Sequence, residues 1–487
     1  VNTKIVDREQ SQVGASRLSR AIKYALALGF LAGGVNLAHA QATPAPSTPS
    51  EKAAVDEGLT WHGITLYGIV DIGVQYDNHG APFSDYFPGG SNDIVQKDSR
   101  HSTSGLTPSN LSQSRVGLQG AEPLGVEDLK GVFRVETYFN PQSGDLSDGP
   151  KSQVLNNGKA AGAQSVNLDS SVAGQPFEIA YAGVASKTYG SITFGRQLSL
   201  LADGVAKYDP NYGSQAFSLI GLSGTYAGAG DTEDKRFDEA VKYTLPIADI
   251  AHIGGLYKFN QSNGAAGTAW QVDAGADYAG ASIDAYFAKT RDAISAGTLS
   301  AAQVTGLPAL GYSVTNSLAG TISDNTAASL MGSYVLPSID GVGAIKILAG
   351  YEYIQYDNPK TPLAAGTDTI GGYNLAYVSN TAFPHAKILN VYWGGVRYTV
   401  LPGLDLTGAY YGYHQNSYGN GKFCSNTSAG TCAGTFKGFS ADADYAFTKR
   451  FDAYVGAMWS EVAGGVANGY TFQRTNIDPT IGVRFKF

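Results

Sequence analysis

The sequence predicts an all-β fold, a closed barrel of 16 antiparallel strands that crosses a membrane, and three observations carry that expectation. Composition is the first: 62 of 487 residues are glycine and 30 are tyrosine, while only 15% are charged. Glycine weakens helices and tyrosine favours strands, and so little charge leaves part of any exterior to be covered by something other than ions. The second is patterning, in which stretches of about ten residues alternate apolar with polar or small side chains. The polar faces carry ions that a dry core would not hold unpaired, whereas a water-filled lumen would. The third is the connections, which alternate between short turns and long polar segments.

Residues 1–40 read as an export leader. Arg17, Arg20 and Lys23 precede the apolar run 24–37, and Ala38-His39-Ala40 has the small-x-small form of a cleavage site. The run is interrupted by Gly29, Gly33, Gly34 and Asn36 and is too short for a spanning helix. Cleavage would leave 28 basic against 39 acidic side chains, a net charge of -11. No basic block or basic-aromatic motif offers a footprint for nucleic acid. Residues 41–59, rich in Pro, Ala, Ser and Thr, read as a flexible lead, and 60–487 as the barrel.

In the first strand, 64–76, Ile64, Leu66, Val70, Ile72 and Val74 share one face and Thr65, Tyr67, Asp71 and Gln75 the other. The second, 112–120, opposes Val116 and Leu118 to Arg115 and Gln119. The third, 129–139, opposes Phe133, Val135 and Phe139 to Lys130, Arg134 and Glu136. Similar stretches follow at 178–188, 191–197, 238–245, 252–260, 269–278, 281–290, 327–336, 344–356, 387–400, 403–414, 437–447, 450–461 and 474–487, which makes 16. An even count suits a single-chain bacterial barrel, and 16 strands leave an aqueous channel. The connections EPLGVED, KTYG, YAGA, PSIDGV, LPG and TKR are short; 77–111, 140–177 and 291–325 are long. In outer-membrane barrels the short turns face the periplasm and the long loops face outward. Cys424 and Cys432, in the polar segment CSNTSAGTC, are a disulfide candidate in such an outer loop; with no histidine or second cysteine pair nearby, a metal is the weaker assignment.

Catalytic chemistry has little footing. The histidines, among them His62, His79, His101, His252, His385 and His414, form no i,i+4 pair and no glutamate-flanked zinc motif. GLSGTYAGAGD lacks the lysine of a phosphate loop, and no GxSxG elbow occurs. The expectation is no enzyme, no cofactor and no metal. Tyr351, Tyr353, Tyr392, Tyr398, Tyr410 and Tyr445 are assigned to an interfacial girdle rather than to solute stacking.

ITLYGIVDIGV, SRVGLQGAEPLG, GSITFGRQ, AVKYTLP, DYAFTKRFDAYVG and the final IGVRFKF, in that order, make the chain from about Trp61 onward resemble the trimeric general porins of Gram-negative outer membranes. The resemblance implies a homotrimer in outer-membrane lipid that passes small hydrophilic solutes and ions by passive diffusion. It also implies a C-terminal aromatic, here Phe487, read by the barrel-assembly machinery. By resemblance, the loop 198–233 folds into the lumen and narrows it. Its acidic side would comprise Asp203, Tyr208, Asp209, Asp231, Glu233 and Asp234. The facing basic wall, for which alternation supplies Arg115, Lys130, Arg134, Arg236, Lys242 and Arg397, would set a transverse field. Arg196 of the GRQ motif resembles a pore-lining arginine, although strict alternation turns it towards lipid, so a bulge or strand end must re-aim it. Asp238-Glu239-Ala240 stands where the family often has Asn-Asn-Ser, and the first, second and fifth loops are long for the family. A substrate-specific channel, or a barrel whose long loops bind surface partners, are the alternative functions.

Overall fold

The computed structural model describes residues 59–79, 102–126, 128–146, 151–160, 177–220, 235–248, 250–259, 267–337, 341, 343–364, 366, 369–370, 373–421, 423–470 and 472–487. The expected leader, the lead up to residue 58, and Asp231, Glu233 and Asp234 lie outside the described residues.

Sixteen wall strands close into an antiparallel barrel: β1 (Ile64–Asp77), β2 (Arg115–Pro123), β3 (Lys130–Tyr138), β4 (Phe177–Ser186), β5 (Gly190–Leu198), β6 (Arg236–Ile247), β7 (Ala251–Lys258) and β8 (Ala269–Tyr278), then β9 (Ala281–Gly297), β10 (Ser317–Val335), β11 (Ala344–Asp357), β12 (Lys387–Leu401), β13 (Leu404–Gln415), β14 (Gly434–Ala446), β15 (Phe451–Gly464) and β16 (Thr475–Lys486). Each pairs with its neighbour in sequence, and β16 returns to β1 with Lys486 opposite Ile69 and Thr480 opposite Gln75. The seam continues past the strands, where the backbones of Gly68 and Phe487 exchange hydrogen bonds of 2.9 and 3.0 Å.

Alternation places the faces as the pattern requires. On β1, Leu66 and Val74 are exposed on the outside, while Thr65, Asp71 and Gln75 are buried inside. Tyr351, Tyr392, Tyr410 and Tyr445 are likewise exposed. The short turns use local chemistry: Ala279 and Gly280, both at positive φ, form the two-residue link between β8 and β9, as a type I′ hairpin demands. Asp128, in the turn between β2 and β3, accepts from Ser186 Oγ (2.8 Å) and from the amides of Lys187 (2.6 Å) and Thr188 (3.1 Å), which ties it to the next turn.

Two boundaries differ from the sequence pattern. β9 and β10 run past the expected ends at 290 and 327, because a bulge between Thr290 and Ala293, with Asp292 at φ 51°, breaks the alternation while pairing resumes beyond it. Near the second strand, Thr103–Pro108 forms a separate ribbon on the outer half of β1, and β2 takes the inner half. The six residues between them turn into the lumen.

Outside the wall, the strand Tyr373–Ser379 pairs in parallel with the outer end of β10. Asn157 ties the segment after the helix Lys151–Leu155 to the same region, bonding the Leu299 amide (2.8 Å) and the Ser317 carbonyl (2.9 Å). Cys424 and Cys432 form a disulfide in the connection between β13 and β14. The largest apolar cluster sits inside the barrel, where Leu200, Leu201, Val205 and Leu219 meet Met331, Trp393, Tyr411, Phe436 and Met458 of the inner wall.

Candidate functional site

After β5 the chain enters the lumen. Ser199 caps the helix Leu200–Tyr208 by accepting from the Ala202 amide, and the first helical amides donate to Gln271 Oε1 of β8 at 2.8 and 3.3 Å. Lys207 pairs with Asp284 (3.2 Å) and Asp277 (3.5 Å). Tyr208 shares a 2.6 Å hydrogen bond with Ser282 and accepts at its carbonyl from Trp393 Nε1. The chain then runs on along the inner wall of β12 to β15. Arg397 donates to the Pro210 carbonyl and lies 3.4 Å from the centroid of the Tyr212 ring. Asn211 reaches Tyr411 (3.1 Å) and Ser440 (3.0 Å).

Glycines on the wall make this seat possible. A Cβ on Gly395 would lie 2.5 Å from Pro210 Cγ, and one on Gly438 would lie 2.9 Å from Leu219 Cδ1. The infolded loop therefore covers the inner wall from β8 round to β15 and leaves the inner face of β1 to β6 opposite it.

That opposite face carries basic side chains together with their own acids. Glu136 gathers Arg134 (2.7 Å), Arg115 (3.7 Å) and the Tyr67 hydroxyl (2.8 Å). Glu178 gathers Arg236 (3.1 Å) and Arg196 (3.5 Å), while Arg196 also meets Asp238 at 2.6 Å and Arg236 donates to Tyr138 at 2.8 Å. Register shifts lie at Glu136/Thr137 in the β3–β4 pair and at Gly195/Gln197 in the β5–β6 pair. These bulges bring Glu178 and Arg196 together. Lys242 of β6 reaches across to Asp203 of the helix, and Lys130 stands exposed at the short-turn end of β3.

The arrangement corrects two expectations. Asp209 and Tyr208 do not face the basic wall; both are fully buried behind the loop. Asp209 accepts from Tyr411 Oη (2.8 Å) and the amides of Gly213 (2.6 Å) and Asn211 (3.2 Å), and these donors replace the water that its carboxyl loses. Arg397 likewise anchors the loop instead of facing it. Sequence reasoning put Glu136 on the polar face but assigned neither it nor Glu178 to the site. Glu136 shares a face with Lys130 and Arg134, so its signal was present; Glu178 was hidden by its bulge.

The geometry is that of a barrel lumen narrowed by one loop against a polar wall whose charges are held in compensated clusters. A profile described as Gram-negative porin matches residues 25–465, and no curated protein matches the sequence. The fold is similar to the anion-selective porin from Comamonas acidovorans, at 18% identity and TM-score 0.55, over 87% of this chain and 99% of that one. It is also similar to the trimer form of OmpT from Vibrio cholerae (14%, 0.52, 87% and 99%) and to the outer membrane channel DcaP of Acinetobacter baumannii (15%, 0.50, 87% and 97%).

Proposed function

Because this chain belongs to the Gram-negative porin family, whose members are outer-membrane channels for passive diffusion, we propose that its solutes pass between the infolded loop and the inner face of β1 to β6. Small hydrophilic solutes and ions cross there down their gradients. The observation that carries the route is the loop's attachment to β8 through β15, which leaves the Arg115, Arg134 and Arg236 side as the wall of the open path. Selection acts through width and through the clustered charges, with Asp203 and Lys242 closing one edge of the path.

The chain works as a homotrimer in outer-membrane lipid. The trimer form of the Vibrio cholerae protein supports that assembly. Residues 1–40 act as the export leader, 41–59 as a lead into the barrel, and the last strand with Phe487 as the handle for the barrel-assembly machinery. A substrate-specific channel is the second reading, favoured by the wall carboxylates Glu136 and Glu178, which build polar clusters more elaborate than free passage of water requires.

The test is single-channel recording of refolded protein in a planar bilayer under a potassium chloride gradient. Large, nearly ohmic steps closing in threes are expected. Small currents that a particular solute blocks saturably would favour the substrate-specific channel, and absence of current from a folded barrel would overturn both.

A further inference from the structure

The lumen holds a second inward segment. Between the Thr103–Pro108 ribbon and β2, residues 109–114 leave the wall and fold inward around Asp71 of β1. Asp71 is fully buried. Its carboxylate accepts from the amides of Asn110 (3.2 Å), Leu111 (2.9 Å) and Ser112 (2.9 Å) and from Tyr454 Oη (2.6 Å). Its backbone is held as well, by the Ser109 amide (2.8 Å) and by both directions of contact with Ser114 Oγ. Four donors converging on one carboxylate make a charge-assisted knot stronger than any ordinary turn contact. The strands across the seam reinforce it: Arg484 of β16 donates to Ser112 Oγ (2.7 Å), and Asn110 Nδ2 donates to Tyr454 Oη (2.9 Å).

This knuckle touches the infolded loop. The Asn110 carbonyl accepts from Ser214 Oγ (2.8 Å) and from the Ala216 amide (3.1 Å), and Leu111 packs against Ala216, Phe217 and Tyr454. The far part of the loop is therefore fixed to a mobile-looking sequence, Ser-Asn-Leu-Ser-Gln-Ser, that the buried carboxylate has made rigid.

We propose that residues 109–114 are a second size-determining element of the channel and that Asp71 is their positioning residue. The open path is bounded by two inward segments fastened to each other, and its width depends on the knuckle as much as on the infolded loop. The inference rests on the reading that the loop narrows the channel, and the experiment separates the two.

Single-channel conductance and the exclusion limit for neutral sugars in liposome swelling are measured on the full-length refolded trimer, with heat-modifiable electrophoretic mobility as the folding control. Asp71→Ala frees the knuckle and Tyr454→Phe weakens it without touching the strand register. The double variant Asn211→Ala/Tyr411→Phe frees the loop from β13 and leaves the knuckle intact. Asp71→Ala is expected to raise conductance by about 1.5- to 2-fold and admit larger sugars, because a wider lumen carries more water and ions, and Tyr454→Phe to move both in the same direction by less. Parent-like values in Asp71→Ala and Tyr454→Phe, with widening in the double variant, would overturn the knuckle's role and leave the loop reading standing. Parent-like values in all three would overturn both. If Asp71→Ala does not fold, Tyr454→Phe decides.

Discussion

Glu136 shows how one side chain sets the electrical character of a wall. Two guanidinium groups and a phenol converge on it while its carboxylate is almost wholly shielded from solvent, so the neighbouring cations are held in place and only part of their charge is projected into the lumen. Neutralising Arg115, Arg134 and Arg196 together leaves Glu136 without a cation and Glu178 with Arg236 alone, and the wall turns more acidic. The expected outcome is a reversal potential shifted towards cations by on the order of 10 mV in a tenfold salt gradient. An unchanged reversal potential in a folded triple variant would remove these residues from the path. Arg115 and Arg134 were legible from period-two alternation, because a strand that faces water on one side must put them there, whereas alternation alone turned Arg196 the wrong way across its bulge. The direction of Asp209 was not legible, since a loop residue has no period; only the donors waiting for it in three dimensions decide which way it points.

Among elements, the periplasmic turns show the same logic on a smaller scale. Asp128 is only half-buried, yet the Ser186 hydroxyl and the amides of Lys187 and Thr188 hold its carboxyl below the ordinary carboxylate range. A lowered value in the folded chain means that the tie is present at neutral pH and is lost as pH falls through that value. Protection of the Lys187 and Thr188 amides against hydrogen exchange is therefore expected to fall as the solution is acidified through and below the carboxylate range, and Asp128→Asn to abolish the dependence. Strand positions were readable because apolar and polar residues alternate along them, as in β1. The ends were less so: Asp292 and Glu178 sit at bulges, where one inserted residue reverses the pattern, and residues 109–114 look like ordinary polar loop until Asp71 collects their amides.

For the whole molecule, sixteen strands and the inequality of their connections were legible because both are one-dimensional features of the chain. The apolar cluster inside the lumen was not, because its members come from the loop and from strands β6 to β15 and share no local pattern. Closure itself depends on the seam: Thr480 to Lys486 bond the middle of β1, and Phe487 bonds Gly68. Removing 475–487 is expected to abolish the heat-modifiable folded form completely, whereas Phe487→Ala, which keeps the backbone bonds, should still yield a folded species when refolded in detergent. The two are separated on a single gel. The seam also imposes an order in time. β1 emerges hundreds of residues before the strand that covers its free edge, so throughout synthesis and export a row of unpaired amides and carbonyls waits for a partner. The strands between β1 and β16 each find a neighbour close by in sequence on both sides, but the seal comes only with β16, and until then the chain is most at risk of pairing with another copy of itself.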